Sequence, residues 1–287
     1  MKRLLLTLPL LLCFTAQLSA QKRDTTGYAK LKEMYGVNPW IEVPVAIGMG
    51  FASQQRLLKL QDKDDLTPAE IEALNPDDVI PIDRWALRQD FDRHKGGILI
   101  SDYLFGAGQY APFTLFIFKK YRQNWINITT MYLQAQATQG LFYGYAPFGP
   151  SLVDRYRPRV YYLQAQEEGL DGNQRNSMFS GHVSTMSTGF YFVAKMIDDH
   201  NPHLNGTRRA MIYTAATIPS VVGGIMRVRA LKHYPTDVAV GLGVGAISGI
   251  LVPQVHRWWK KNHSASDLSV RPIISPIGKG ASFSLVF

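Results

Sequence analysis

Residues 175–189 read RNSMFSGHVSTMSTG, and residues 223–241 read GGIMRVRALKHYPTDVAVG. Each stretch holds one histidine, His182 or His233, among small, hydroxyl and basic residues, and each histidine stands where an apolar helix begins. Ser180 is placed to cap the first helix, whose run 183–197 carries Lys195 as its only charge. A helix N-terminus offers unpaired N–H groups and the positive end of its dipole, so it attracts a phosphate. Gly181 lets the backbone approach such a ligand closely. Ser-Gly-His is a short string, and by itself it also reads as an ordinary capped helix with a surface histidine.

The second stretch is richer. Arg227 precedes His233 by six residues, and Asp237 follows it by four. Pro235 suits the first position of a helix, which puts Asp237 in the first turn and within reach of His233. A carboxylate behind an imidazole fixes its tautomer and supports its cationic form. A nearby guanidinium can grip phosphate oxygens in a bidentate fork. Alone, this too reads as a basic loop capped by a helix. Upstream, Asp154-Arg155-Tyr156-Arg157-Pro158-Arg159 brackets a proline with three arginines in a segment that reads as loop, solvated if nothing else engages it. Together the pieces supply two histidines, one carboxylate and several guanidiniums. That kit suffices for phosphoryl transfer without a metal, and no cofactor is expected.

Arg157-Pro158, FSGH at 179–182 and Arg227-x5-His233-x3-Asp237 resemble the three ordered motifs of the type 2 phosphatidic acid phosphatase superfamily, which also holds vanadium haloperoxidases and acid phosphatases. The gap of about fifty residues between the histidines fits as well. Bacterial phosphatases of the Bacteroidetes type are the most similar, since Arg-Asn-Ser commonly precedes their second motif, as Arg175-Asn176-Ser177 does here. Three positions depart from the pattern: Pro150 stands for the lysine of the first motif, Phe179 for the proline of the second, and Met226 for the serine of the third. The first loss removes a phosphate contact and the last a hydroxyl donor. Arg155 or Arg159 is the expected substitute for the lysine.

The resemblance implies an all-α fold, a six-helix bundle of the superfamily's kind. It implies a metal-independent phosphomonoesterase working through a phosphohistidine. His233 is then the nucleophile, Asp237 its orienting carboxylate and His182 the general acid and base. Arg157, Arg227, Arg155 and the N–H groups of Ser180 and Gly181 are the phosphate ligands. The rival reading is a degenerate, non-catalytic phosphate-binding or membrane-scaffold member of the same fold, which the three departures favour and the retained His182, Arg227, His233 and Asp237 oppose. Vanadate-dependent haloperoxidase chemistry ranks low, because the chain is small and lacks the oxyanion-holding lysine.

The rest of the chain surrounds this core. Residues 1–20 read as a secretory signal peptide, with Lys2 and Arg3 before an apolar run and Leu18-Ser19-Ala20 as a cleavage site. The single cysteine, Cys13, lies within it. Residues 21–97 form an N-terminal helix and connecting region, in which Thr67-Pro68-Ala69-Glu70 is a capping box. Asp62-Lys63-Asp64-Asp65 lacks the spacing, glycine and final glutamate of an EF-hand loop and reads as a solvated turn. The stretch from 75 to 92 reads as an acidic connecting loop. Residues 98–262 form the phosphatase-like core, with helices expected over 98–119, 125–146, 182–198, 208–226 and 237–256; the sixth starts near residue 38. Residues 263–287 alternate around Gly278-Lys279-Gly280 and predict a small C-terminal β-hairpin.

A net charge of +9 suits anionic headgroups or phosphorylated substrates. No nucleic-acid recognition motif is present, so the expected partners are a phosphorylated lipid and a membrane, with no nucleic acid and no identifiable protein partner. The last helix has the strongest case for a span. Its glycines at 241, 245 and 249 allow close helix contact, and it ends in an aromatic and basic cluster, His256-Arg257-Trp258-Trp259-Lys260-Lys261. An exported protein is expected, either in the inner membrane with its site facing the periplasm or periplasmic and membrane-associated.

Overall fold

The computed structural model describes residues 34–162 and 171–263, and the backbone of 267–275 and 278–286. The signal-peptide reading of residues 1–20 lies outside the described residues. Six helices of nineteen residues or more build the body: α1 (Pro39–Gln61), α2 (His94–Thr114), α3 (Trp125–Tyr145), α4 (Gly181–Asp199), α5 (Gly206–Arg229) and α6 (Pro235–Asn262). Short helices at Pro68–Glu72 and Lys119–Arg122 join them. The backbone of Asp267–Ser275 pairs antiparallel with that of Gly278–Val286.

α4 is the central helix, packed by α6, α2, α5 and α3. Its sequence explains why. Ser184, Ser187, Thr188 and Gly189 are fully or nearly buried and present little bulk, so neighbouring backbones come close. Two of the three hydroxyls bond back within the helix, Ser184 to the Gly181 carbonyl and Thr188 to the Ser184 carbonyl, while that of Ser187 has no partner among the described residues. Against this face lies the glycine stripe of α6. A Cβ on Gly241, Gly245 or Gly249 would stand 2.6, 2.3 or 2.5 Å from the carbonyl oxygens of Ser180, Ser184 and Thr188. The two helices thus touch backbone to backbone at one contact per turn.

α2 crosses the other side of α4 in the same way. Pro112 has no N–H for the Gly108 carbonyl. That carbonyl lies directly against Gly189, where a Cβ would come within 1.8 Å. The helix ends at Thr114, five residues short of the expected limit at 119, and a 3₁₀ turn over Leu115–Ile117 follows. The start moves too, from 98 to His94. The glutamines of α3, polar for a lipid-facing helix, turn inward: Gln136 donates to the Tyr132 hydroxyl and the Thr185 carbonyl, Gln139 to Ser184, and Gln134 to Glu42 of α1.

The outer faces are apolar. Trp40, Phe51, Tyr103, Ile117, Met211 and Ile218 are each more than half exposed. Among the described residues, α5 and α6 are long and apolar enough to cross a membrane, with mean hydropathies of 1.3 and 1.9 over their best windows. Sequence pattern had singled out only the second of these.

Two glycines of α6 offer a paired test. Gly245→Ala forces a Cβ into the Ser184 carbonyl and should destabilise the protein by about 1–3 kcal/mol. Gly243 has nothing within 4 Å of its Cβ position, so Gly243→Ala should be neutral or add about 0.5–1 kcal/mol. Thermal unfolding of both variants in detergent checks this; equal melting temperatures would deny the close contact of α4 and α6.

Candidate active site

The close packing of α4 and α6 sets their N-termini side by side. The Ser180 N–H donates to the Asp237 carbonyl at 3.1 Å, which ties the two together. Ser180 also caps α4 through its hydroxyl, toward the Val183 N–H. This leaves the Gly181 and His182 end of α4 facing a cavity of about 830 Å³. Gly181 has no room for a side chain, since a Cβ there would sit 2.9 Å from the Tyr143 ring.

α5 delivers the second group through a Schellman turn. The Lys232 N–H bonds the Arg227 carbonyl and the Leu231 N–H bonds the Val228 carbonyl. Leu231 takes the left-handed position of this turn, with φ 57°, where glycine is usual. Its side chain is fully buried, which offsets the backbone strain. The tight reversal aims Lys232 and His233 back at Arg227, and all three line the cavity. Arg157 joins them from the loop after α3, held by its N–H to the Gln174 carbonyl and by Nη2 to Asn173 at 3.1 Å.

One end of the cavity is therefore a cluster of Arg157, Arg227, Lys232, His182 and His233. Arg157, Arg227 and His233 are 8, 6 and 3% exposed. Neither arginine's Nε finds a hydrogen-bond partner among the described residues. Crowded cations in a buried site depress one another's proton affinity. Burial, then Arg227, Arg157 and Lys232, push His182 down to about 3. Burial and the same two arginines hold His233 well below the ordinary imidazole range. Burial and the neighbouring arginines bring Lys232 down to about 8. The walls from α1 and α3 are mixed, with Ala46, Ile47, Leu57, Leu60, Leu133 and Ala137 beside Ser53, Gln54, Gln136 and Gln139.

The sequence profile of the PAP2 superfamily matches residues 112–261, more than half of the 287-residue chain. The chain belongs to the PAP2 superfamily. The family's chemistry is of the phosphatase type, on phosphate esters. No curated protein and no solved structure matched the chain.

The structure brings most of the motif residues together but redistributes their duties. Arg157, Gly181, His182, Arg227 and His233 of the PAP2 motifs line the cavity. Ser180 does not, and its N–H is spent on the Asp237 carbonyl. Arg155, the expected substitute for the lysine, also points elsewhere. Its guanidinium is taken by Asp237, by Asp83 at 2.6 Å and by the Thr236 hydroxyl at 2.9 Å. Arg159 is turned away as well, its N–H on the Leu231 carbonyl and its guanidinium 5.9 Å from the Phe91 ring. Asp237 stands 4.0 Å from His233 Nδ1, too far for a hydrogen bond. The Nδ1–H instead donates to the Ser177 carbonyl at 2.7 Å, and the Ser177 hydroxyl donates to Asp237 at 2.6 Å. The link from carboxylate to imidazole runs through Ser177.

Three contributors escaped sequence reasoning. Asp83, fully buried, caps α6 through the Thr236 N–H and hydroxyl while it grips Arg155. It belongs to the segment read as a connecting loop. Asp102 lies 3.3 Å from His182 Nε2 and 3.5 Å from Arg227 Nη1. It is the only acid of α2, which was the available signal. Lys232 was flagged only by its place directly before His233. Asp83 and Asp102 both fall outside the PAP2 match.

The reassignment of Arg155 is testable. Arg155→Met orphans the buried Asp83 and Asp237 carboxylates and should cost about 3 kcal/mol or more of stability. Affinity for inorganic phosphate should stay within about threefold of native, because no direct ligand is lost. A loss of about tenfold or more by calorimetry, with the fold intact, would return Arg155 to the phosphate shell.

Proposed function

We propose that this protein is a metal-independent phosphatase of lipid phosphates or pyrophosphates, working through a phosphohistidine on His233. The observation that carries the reading is the cluster of buried cations without adequate counterions at one end of the cavity. Among the described residues Arg157 has no carboxylate within ion-pair reach, and Arg227 has only Asp102, itself half-exposed. Such a cluster is stable with an anion in it, and two histidines beside it are a phosphoryl-transfer pair rather than a binding motif. The apolar residues in the walls from α1 and α3 give a hydrocarbon chain a place to lie, and the exposed apolar faces of the helices suit a bilayer.

The geometry supports the following chemistry. With Nδ1–H bound to the Ser177 carbonyl, His233 carries its lone pair on Nε2, facing the cavity. Nε2 attacks phosphorus, the bond from phosphorus to the ester oxygen breaks, and the leaving alkoxide takes a proton from His182. A water molecule then attacks the phosphohistidine, His182 accepts its proton, and orthophosphate leaves with His233 restored. Arg157, Arg227 and the Gly181 N–H hold the equatorial oxygens. Asp102 beside His182, together with the incoming phosphate charge, offsets the cations that keep that imidazole neutral in the free protein. Residues 98–262 carry the chemistry, on the six-helix bundle of the superfamily, while 21–97 supply a cavity wall and Asp83 and the C-terminal hairpin is an appendage. The protein is read as exported, seated in the membrane by α5 and α6, with the site toward the periplasm.

Phosphate release from a panel of phospholipid phosphates, isoprenyl pyrophosphate and p-nitrophenyl phosphate, with EDTA present, tests the reading. The native protein should turn over at least one of them, His182→Ala should lose about 10²–10⁴-fold, and His233→Ala should fall to background. A His233→Ala variant retaining most of its rate would end the phosphohistidine assignment. The pH profile adds a second check. Protonation disables His233, and burial with Arg227 and Arg157 depresses its proton affinity. The acid limb of kcat/KM should therefore lie below the ordinary imidazole value of about 6.5. Arg227→Gln removes one depressing charge and should move that limb to higher pH.

A further inference from the structure

We infer that Lys232 is a phosphate-binding residue of this site, the cation that completes the anion shell in a chain whose position 150 is proline. The inference rests on the anion-site reading above and adds to it the one ligand whose charge can be switched by pH. The Schellman turn, closed by the Lys232 N–H on the Arg227 carbonyl, brings the two residues together, and both line the cavity. Among the described residues, the other cations near position 150 and in the first-motif loop, apart from Arg157, are placed elsewhere. Arg155 is saturated by Asp83, Asp237 and Thr236. Arg159 does not line the cavity. Lys63, near Pro150, is spent on the Pro150 carbonyl and on Asp154. Lys232, by contrast, has no ion-pair partner among the described residues.

Its surroundings make the charge labile. Arg227 faces it from α5, Arg157 from the loop after α3, His182 from α4 and His233 from its own turn, while Arg159, outside the cavity, acts on it through its field. Asp171 opposes them from the turn before α4, and Asp102 stands across the cavity on α2. Burial and the three arginines bring the ammonium down to about 8, with Asp171 pulling the other way. The sign is then fixed. Below about pH 8 the ammonium is present and binds the anion; as pH rises through that value the empty site loses the charge and affinity falls. A bound dianion raises the lysine's proton affinity, so binding in alkaline solution takes up a proton.

The test is calorimetric titration of the full chain in detergent with tungstate, a tetrahedral dianion of constant charge from about pH 6.5 to 9.5, beside Lys232→Met and Lys232→Arg. A charged hydrogen bond contributes about 1.5–3 kcal/mol. At pH 7 Lys232→Met should thus bind about ten- to a hundredfold more weakly and lose the alkaline decline. Lys232→Arg should bind within about threefold of native and also lose the decline, because its guanidinium does not titrate there. Native-like affinity and pH dependence in Lys232→Met would overturn the inference and leave the anion site standing. No tungstate binding by the native protein at any pH would overturn the site reading and this inference with it. Should Lys232→Met not fold, an unchanged alkaline decline in Lys232→Arg would be equally fatal.

Discussion

The backbone contact between α4 and α6 is the constraint from which the site descends. Helices normally keep their axes apart by the thickness of their side chains. Here glycines on α6 abut carbonyls of α4 once per turn, and the axes come close enough for the Ser180 N–H to reach the Asp237 carbonyl. Two helix N-termini are then neighbours, and the positive ends of two dipoles point toward one cavity wall. His182 stands on one and His233 just ahead of the other. A bulkier residue in either stripe would part the two histidines before it touched either of them. The small-residue pattern is thus as much a part of the site as the residues that line it.

That convergence creates an electrostatic cost. Arg157 and Arg227 are nearly fully buried, and Lys232 adds to them. A buried charge without its partner is expensive, and the protein spends its nearby carboxylates elsewhere. Asp83 and Asp237 are both satisfied by Arg155, one layer behind the cavity. The result is a support in which one guanidinium faces two carboxylates, set behind a positive site. The depressed proton affinities of His182, His233 and Lys232 are the signature of that imbalance. An arriving phosphate would relieve it, which is why the arrangement reads as a receptor for an anion and not as a salt-bridged core.

The sequence displayed the helical class, the motif order and the pairing of His182 with His233, because those depend on local pattern and on short spacings. It displayed the glycine stripe of α6 too, since a four-residue repeat is visible in one dimension. What it hid was three-dimensional division of labour. Three arginines within five residues look interchangeable, yet Arg155, Arg157 and Arg159 go behind the site, into it and away from it. An extended strand would set residues 155, 157 and 159 on one face, and the 3₁₀ turn over Pro158–Tyr162 breaks that pattern. Asp83 was hidden for another reason: it lies in a run with no periodicity, about 150 residues from the Thr236 it caps. Asp102 was hidden by being a single acid in an apolar helix, where no spacing rule applies.

The relation of Asp237 to His233 shows what such hidden support does for chemistry. A carboxylate directly on Nδ1 would fix the tautomer and stabilise positive charge with one bond. Here the two tasks are separate. The Ser177 carbonyl accepts Nδ1–H and fixes the tautomer. Asp237 supplies the charge from 4.0 Å, held by Arg155, the Ser177 hydroxyl and the Tyr234 N–H. At that distance two unit charges in a partly screened interior interact by on the order of 4 kcal/mol. In the empty site the arginines outweigh it and the imidazole stays neutral. Behind that neutral imidazole stands one fixed carboxylate. Its position depends in turn on Arg155 and, through Arg155, on Asp83.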